Sequence, residues 1–312
     1  YALTLDAQLS EAYTLRGRYY LTRGDYVKAL EEFNQAIQLN PNDWRALLGL
    51  ASYYGNFDVP RSLEYYMRVI SLYKGPQAPS ILREIGELLS SVGFVDEAVT
   101  CFHRATQSDG DSIEYYVGIT KCYANNGLIE QAYIVCEMLY SLDSTNMQSN
   151  RNLGWLNMIL GNNQEAMKHY KKWYTRVEET GAAVVYGLHR MALAYWNNGF
   201  PEEAEKFFDQ QINQILTEQE LGRWHDALLY TYFDLASIQA FKGEYQKALE
   251  NLRAFNEKKI MMIYIPTHIK YGIFFDKVKN DPEFIEIFEE IEAKYQAEHE
   301  RVRQWLEEND LL

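Results

Sequence analysis

The sequence predicts an all-α solenoid: helix pairs stacked side by side, with one long helix closing the C-terminal end. Three observations carry this. A unit recurs, set out most fully as Gly17-x2-Tyr20-x3-Gly24-Asp25-Tyr26-x2-Ala29-x3-Phe33-x2-Ala36-x4-Pro41, and its small, aromatic and turn residues return downstream as far as residue 258. Apolar residues make up 47% of the 312, with no Gly/Ser-rich or Pro-rich run, so the chain reads as one elongated core and not as domains on linkers. Residues 282–308 place apolar side chains at alternating four- and three-residue spacing, the pattern of a single helical seam.

Each position of the unit has a mechanical reason. Gly17, Ala29 and Ala36 are small where helix axes must approach. Gly24 accepts positive φ and closes the first helix, while Pro41 cannot continue the second and ends it. Tyr20 and Phe33 supply bulk between the helices. The first unit covers Ser10 to about Asp43. In the second, Ala51, Tyr54, Ser62 and Tyr66 take the roles of Gly17, Tyr20, Ala29 and Phe33, and Asn56-Phe57-Asp58 replaces the glycine turn. The third recovers the pattern with Gly86, Leu89, Gly93, Ala98, Phe102 and Ala105, and the fourth with Thr120, Tyr123, Gly127, Ala132, Cys136 and Leu139. The fifth has Gly154, Gly161, Ala166 and Tyr170, but Trp173 stands where a small residue is usual, which predicts a wider interface onto the sixth.

The period then stretches. Turn glycines Gly161, Gly199 and Gly243 are 38 and then 44 residues apart, so the last two units, marked by Ala192, Tyr195, Ala204 and Phe208 and by Ala236, Ala248 and Leu252, are lengthened. Longer helices over 174–184 and 212–226 would absorb the difference. At the other end, Ala2-Leu3-x-Leu5-Asp6-Ala7 reads as the close of a preceding unit. Residues 1–9 are therefore expected to be a remnant, and Tyr1 a cut inside a longer array.

From 259 to 312 the unit is lost and a capping segment is expected. Ile260 to Ile265 is either extended or the start of a buried helix. Phe274-Phe275-Asp276-x4-Asp281-Pro282-x-Phe284 then prepares a helix over 282–308, with Asp281 as N-cap and Pro282 in the first turn. Its seam, Phe284, Phe288, Ile291, Tyr295, Val302 and Trp305, is interrupted by Glu298. Such a helix either caps the solenoid or pairs with a second copy as a homodimer.

Over residues 1–258 this pattern resembles the tetratricopeptide repeat (TPR) family, whose unit is about 34 residues. The resemblance implies a right-handed α-solenoid whose first helices line a concave groove, and a non-enzymatic scaffold that binds a protein or peptide segment there. Transferred to this chain, the groove positions of the first four units are small and polar, for example Thr14, Ser52, Ser90 and Asn125. Those of units five to seven include Arg151, Trp155, Tyr186, His189, Trp196, Tyr230 and Phe233, residue types that dominate binding hot spots. They either hold a peptide or pack on one another and under the C-terminal helix. The carboxylate clamp of chaperone-binding members is missing, since its places hold Thr14, Arg18, Gly49, Ser80 and Glu84. The Phe-Asp-x4-Asp-Pro-x-Phe tail is also similar to the ending of large bacterial regulators, in which a TPR array follows a helix-turn-helix, cyclase or TolB-like segment. That implies a regulatory module whose output domain lies upstream.

Composition narrows function further. A net charge of −14 opposes binding to nucleic acid or anionic lipid, because no basic surplus is present to neutralise phosphates. No run reaches the roughly 18 apolar residues of a membrane span. Cys101, Cys122 and Cys136 are odd in number and read as buried free thiols in a reducing, cytoplasmic compartment. The six histidines are scattered, and His103 and His169 on second helices read as solvated or packing residues. With no phosphate loop, zinc signature or nucleophile elbow, the chain is expected to be no enzyme and to need no cofactor or metal.

Overall fold

The computed structural model describes residues 8–181, 187–220, 227–257 and 265–311, with backbone only for 227–230. Most of the expected remnant at 1–9 and of the run from Ile260 lies outside them. Among the described residues there is no strand; seven helix pairs follow one another. They are α1 (Ser10–Leu21) with α2 (Tyr26–Leu39), α3 (Trp44–Tyr54) with α4 (Val59–Leu72), α5 (Ala78–Ser91) with α6 (Val95–Asp109), and α7 (Ser112–Asn125) with α8 (Ile129–Leu142). Then come α9 (Met147–Ile159) with α10 (Asn163–Thr180), α11 (Leu188–Asn197) with α12 (Pro201–Glu220), and α13 (Ala227–Lys242) with α14 (Tyr245–Asn256). A short α15 (Ile265–Tyr271), a 3-10 turn (Ile273–Phe275) and the long α16 (Pro282–Glu308) complete the chain.

Local chemistry sets the pairs. Six of the seven turn on a glycine with φ between 72° and 92°, a region that costs any other residue strain. The second pair does without one: Asp58 accepts from the Arg61 amide at 3.4 Å and starts α4. Asp43 joins the first two pairs. One of its oxygens accepts from the Arg45 and Ala46 amides at the start of α3, and the other from the Ser10 and Thr14 hydroxyls of α1 at 3.0 and 2.9 Å.

Packing between several of the pairs rests on one aromatic side chain of the second helix, while Cys136 and Leu252 take that place in pairs four and seven. The ring of Phe33 is fully buried, and it lies so close to Gly17 of its own pair that a Cβ there would sit 2.7 Å away; Gly49 of the next pair meets the same ring still more tightly. Phe102 sits likewise between Gly86 and Gly118, at 3.0 and 2.7 Å, and Tyr170 fits over Gly154 at 2.8 Å. The backbones of successive first helices also approach closely, α1 on α3, α5 on α7, α7 on α9 and α9 on α11, whereas among the described residues successive second helices meet through long side chains such as Tyr174 and Phe207. The stack therefore curves with first helices inside.

Helices α10 and α12 reach 18 and 20 residues, against 14 or 15 for the earlier second helices. Their added turns bury Val177 and Ile215. Trp173 is accommodated by Gly187, where a Cβ would lie 3.6 Å from the indole and the backbone turns at φ 103° into α11.

Helix α16 does more than cover the last pair. At 27 residues it is about 40 Å long; it starts against α14 and α15 and ends against α4. Along its first half, Arg253 of α14 pairs with Glu283 at 2.8 Å and Lys294 donates to Asn256 at 2.7 Å. At its far end, His299 stacks on Phe94 with 4.6 Å between ring centres and meets the Val92 carbonyl, while Val302 and Leu306 join the core of pairs two and three. Glu298, the interruption in the seam, is only 2% exposed. It accepts from the Val59 amide at 2.8 Å, capping α4 from outside the pair, and from Arg301 at 2.6 Å, which also donates to Asp58 at 2.8 Å. Much of the seam is thus covered by the chain's own repeats, with Phe284, Ile291 and Val302 buried.

The aromatic interlock makes a sharp prediction. Gly49→Ala overpacks Phe33 and is expected to lower stability by roughly 1–3 kcal/mol, read as a fall in urea midpoint. Phe102→Ala, which empties the equivalent slot, should cost about 3–5 kcal/mol.

Candidate functional site

The inner surface of pairs five to seven is built by α9, α11 and α13. Trp155, His189 and Phe233 project from them and converge, yet their exposures are 8%, 2% and 4%. The cover is the chain's own segment of α15 and the 3-10 turn. The His268 ring lies on Trp155 with 4.9 Å between ring centres, Phe274 on His189 at 5.2 Å and Phe275 on Phe233 at 5.7 Å. Phe274 also meets Phe241 at 6.2 Å, edge on. Arg190 also meets Trp155, its guanidinium 5.4 Å from the ring centre and 3.1 Å from the His268 imidazole.

Gly272 lets the segment do this. A Cβ there would collide with the His268 carbonyl, so only glycine allows the chain to leave α15 abruptly and present Phe274 and Phe275 to the groove. Tyr271, one residue earlier, reaches Gly127 in the turn of pair four.

The remaining expected residues lie apart from this cluster or outside the described residues. Arg151 is half-buried and donates to Gln148 at 2.7 Å. Trp196 is 42% exposed and meets Phe241 edge to face at 5.4 Å, forming an open lip at one end of the groove. Tyr186 falls outside the described residues, as does the side chain of Tyr230. At the clamp positions of the first pairs, Thr14 is engaged with Asp43 and Glu84 accepts from Tyr66 at 2.9 Å.

Beneath the covering segment lies a polar focus. His189 Nε2 stands 3.6 Å from Asp234 Oδ1, both buried. Burial pushes the Asp234 carboxyl up to about 7, against a smaller opposing pull from Arg190, and burial together with Arg190 holds His189 well below the usual imidazole value. Among the described residues, His189 Nδ1 and Asp234 Oδ2 have no hydrogen-bond partner. A cavity beside them, bounded by Trp155, His189, Ser237, His268 and Phe274, has room for about one water. The Ser237 hydroxyl is committed to the Phe233 carbonyl at 2.8 Å. What the arrangement does chemically is hold aromatic rings. Asp234 and the covering pair Phe274-Phe275 were not among the expected site residues. The sequence signal for Asp234 was a lone carboxylate inside the apolar stretch from Ala227 to Ala240.

The three cysteines are free. Burial raises each thiol, that of Cys136 to about 12, so they remain protonated packing groups. His103 is exposed, and His169 is buried with its Nδ1 3.1 Å from Asn150 Oδ1.

The chain is similar to several known proteins. The family profile described as tetratricopeptide repeat matches residues 10–43, the span of the first pair. The protein CTR9 homolog of Arabidopsis thaliana is 22% identical over 275 residues, 84% of this chain; the chain spans only 23% of that relative's length. Among solved structures, PilW, a type IV pilus biogenesis factor, shares the fold at 18% identity and TM-score 0.52, over 72% of this chain and 98% of that one. A tetratricopeptide repeat protein from Parabacteroides merdae does so at 13% identity and TM-score 0.50, over 91% of this chain and 98% of that one.

Two outcomes follow from the site. Trp155→Ala opens a cavity under His268 and should cost about 3–5 kcal/mol, whereas Trp196→Ala should move the melting midpoint by only a few degrees. Folding raises the Asp234 pKa from 3.8 to about 7, so its contribution is most favourable below its unfolded value and is lost as pH rises toward 7. His189 acts in the opposite sense, its folded value being depressed: stability is lost as pH falls below 6.5. Asp234→Asn should therefore remove the alkaline-side loss, roughly 4 kcal/mol at full titration, and keep the acid-side one. Urea midpoints from pH 4 to 8 measure both, and a variant less stable than the parent at pH 8 would contradict the assignment.

Proposed function

We propose that this solenoid of tetratricopeptide repeats is a protein-interaction scaffold, and that it takes a protein segment on the concave face of pairs five to seven through Arg151, Trp155, Tyr186, His189, Trp196, Tyr230 and Phe233. One observation carries the reading: a segment of the chain itself, His268 to Phe275, already lies there with its rings on Trp155, His189 and Phe233. Ring-on-ring contact of this kind gives large, rigid area at low entropic cost. On this reading the protein is not an enzyme and works without a cofactor. The charge of −14 supports a protein ligand over nucleic acid or an anionic membrane. No described helix is long and apolar enough to cross a membrane, and the free thiols favour a cytoplasmic setting.

A second reading makes the array the regulatory half of a longer bacterial protein. Its support is the tail motif: Phe274, Phe275 and Phe284, which resemble the ending of such regulators, are all buried against the repeats. A helix-turn-helix or cyclase segment encoded upstream of Tyr1 would favour it.

Selection of displayed random peptides on the intact chain tests the scaffold reading. Peptides recovered should lose at least tenfold in affinity to Trp196→Ala, with little change in melting midpoint. Affinity that survives Trp196→Ala and falls instead with Ile134→Asp on the outer face of α8 would refute the concave site.

A further inference from the structure

We propose that residues 265–278 are a displaceable occupant of the groove, and that the partner which displaces them carries the same chemistry: a segment with two adjacent aromatic residues preceded by aromatic or imidazole rings three and six positions before the first. This rests on the groove reading above and adds to it the identity of the ligand class and the competitor.

The pattern is read from the occupant. His268, Tyr271, Phe274 and Phe275 are the residues that touch Trp155, Gly127, His189 and Phe233 respectively, giving ring-x2-ring-x2-ring-ring. Helix α15 and the break at Gly272 place Tyr271 at the turn of pair four and the other three rings over pairs five to seven. The fit is good in rings and poor in polar atoms. His189 Nδ1 and Asp234 Oδ2 are buried without partners among the described residues, and a cavity of about one water remains beside them. A segment with equal rings and one donor or acceptor reaching that cavity would bind better than the resident one.

The resident segment is favoured by its tether. Being part of the chain, it competes at an effective concentration in the millimolar range, so an equally good free segment loses to it. The chain reversal that seats the resident depends on Gly272, where a Cβ would collide with the His268 carbonyl oxygen, so Gly272→Ala weakens the resident without touching a residue of α9, α11 or α13.

The probe is a fluorescein-labelled peptide of residues 265–278, tested on three full-length chains: the parent, Phe274→Ala with Phe275→Ala, and Gly272→Ala. The parent should bind weakly. The double variant should bind at least tenfold more tightly and gain melting temperature from the peptide, and the same peptide carrying Phe274→Ser and Phe275→Ser should not bind. Should the double variant fail to fold, Gly272→Ala gives the same readout. Hydrogen exchange over 265–278 separates two ways of failing. Accelerated exchange in a folded variant with no peptide binding overturns the proposal together with the groove reading. Exchange as slow as in α9 in every folded variant, with no gain in binding, makes the segment fixed core and overturns displacement alone.

Discussion

One large ring wedged between glycines of neighbouring first helices is the contact on which the architecture depends. Phe33 between Gly17 and Gly49, and Phe102 between Gly86 and Gly118, bring three helices to a single point. A helix pair alone leaves that ring half in water, so the pair is stable only when another stacks on it. The same close approach draws first helices nearer together than second helices, and the curvature that results makes an inner face. Where Tyr170 and Trp173 replace the simpler wedge, α10 lengthens and the inner face becomes aromatic. Groove chemistry is thus a product of the packing rule and of its local relaxation.

The long helix changes the character of the stack. In a simple array each pair interacts only with its neighbours, and stability is close to a sum along the chain. Here Glu298 caps α4 across a separation of 239 residues, while Arg253 and Asn256 hold the other end of the same helix. A buried carboxylate is costly unless it is fully used; the Val59 amide, the positive end of α4 and Arg301 together use it. Pairs two and seven are thereby coupled without touching.

Much of this was legible in the residues. The spacing from Gly17 to Pro41 told where helices begin, end and approach, because each of those positions is governed by local sterics. Asp281-Pro282 likewise announced the start of α16, since capping is decided within one turn. What covers an apolar face is not local. Trp155, His189 and Phe233 could be recognised as inward-facing, but their neighbours His268, Phe274 and Phe275 are brought to them by a chain reversal that no periodicity records. Glu298 looked like a flaw in a seam because its partner is an amide in another pair. Asp234 carried a signal, a charge inside an apolar stretch, whose meaning depends on His189 two helices away in pair six. Residue types marked Trp155, His189 and Phe233 as inward-facing; only the fold showed what lies over them.

The brace has a mechanical corollary. A stack of helix pairs stretches readily, because small rotations at each interface add up along its length. An α-helix, by contrast, resists extension through every backbone hydrogen bond it contains. With α16 fastened at pair seven and pair two, a pull along the array loads the strut before the interfaces can rotate, and the molecule responds as a stiff ring segment instead of a spring. Compliance would return once the far end lets go, where Glu298, His299, Val302 and Leu306 together form an anchor about forty ångströms from the other.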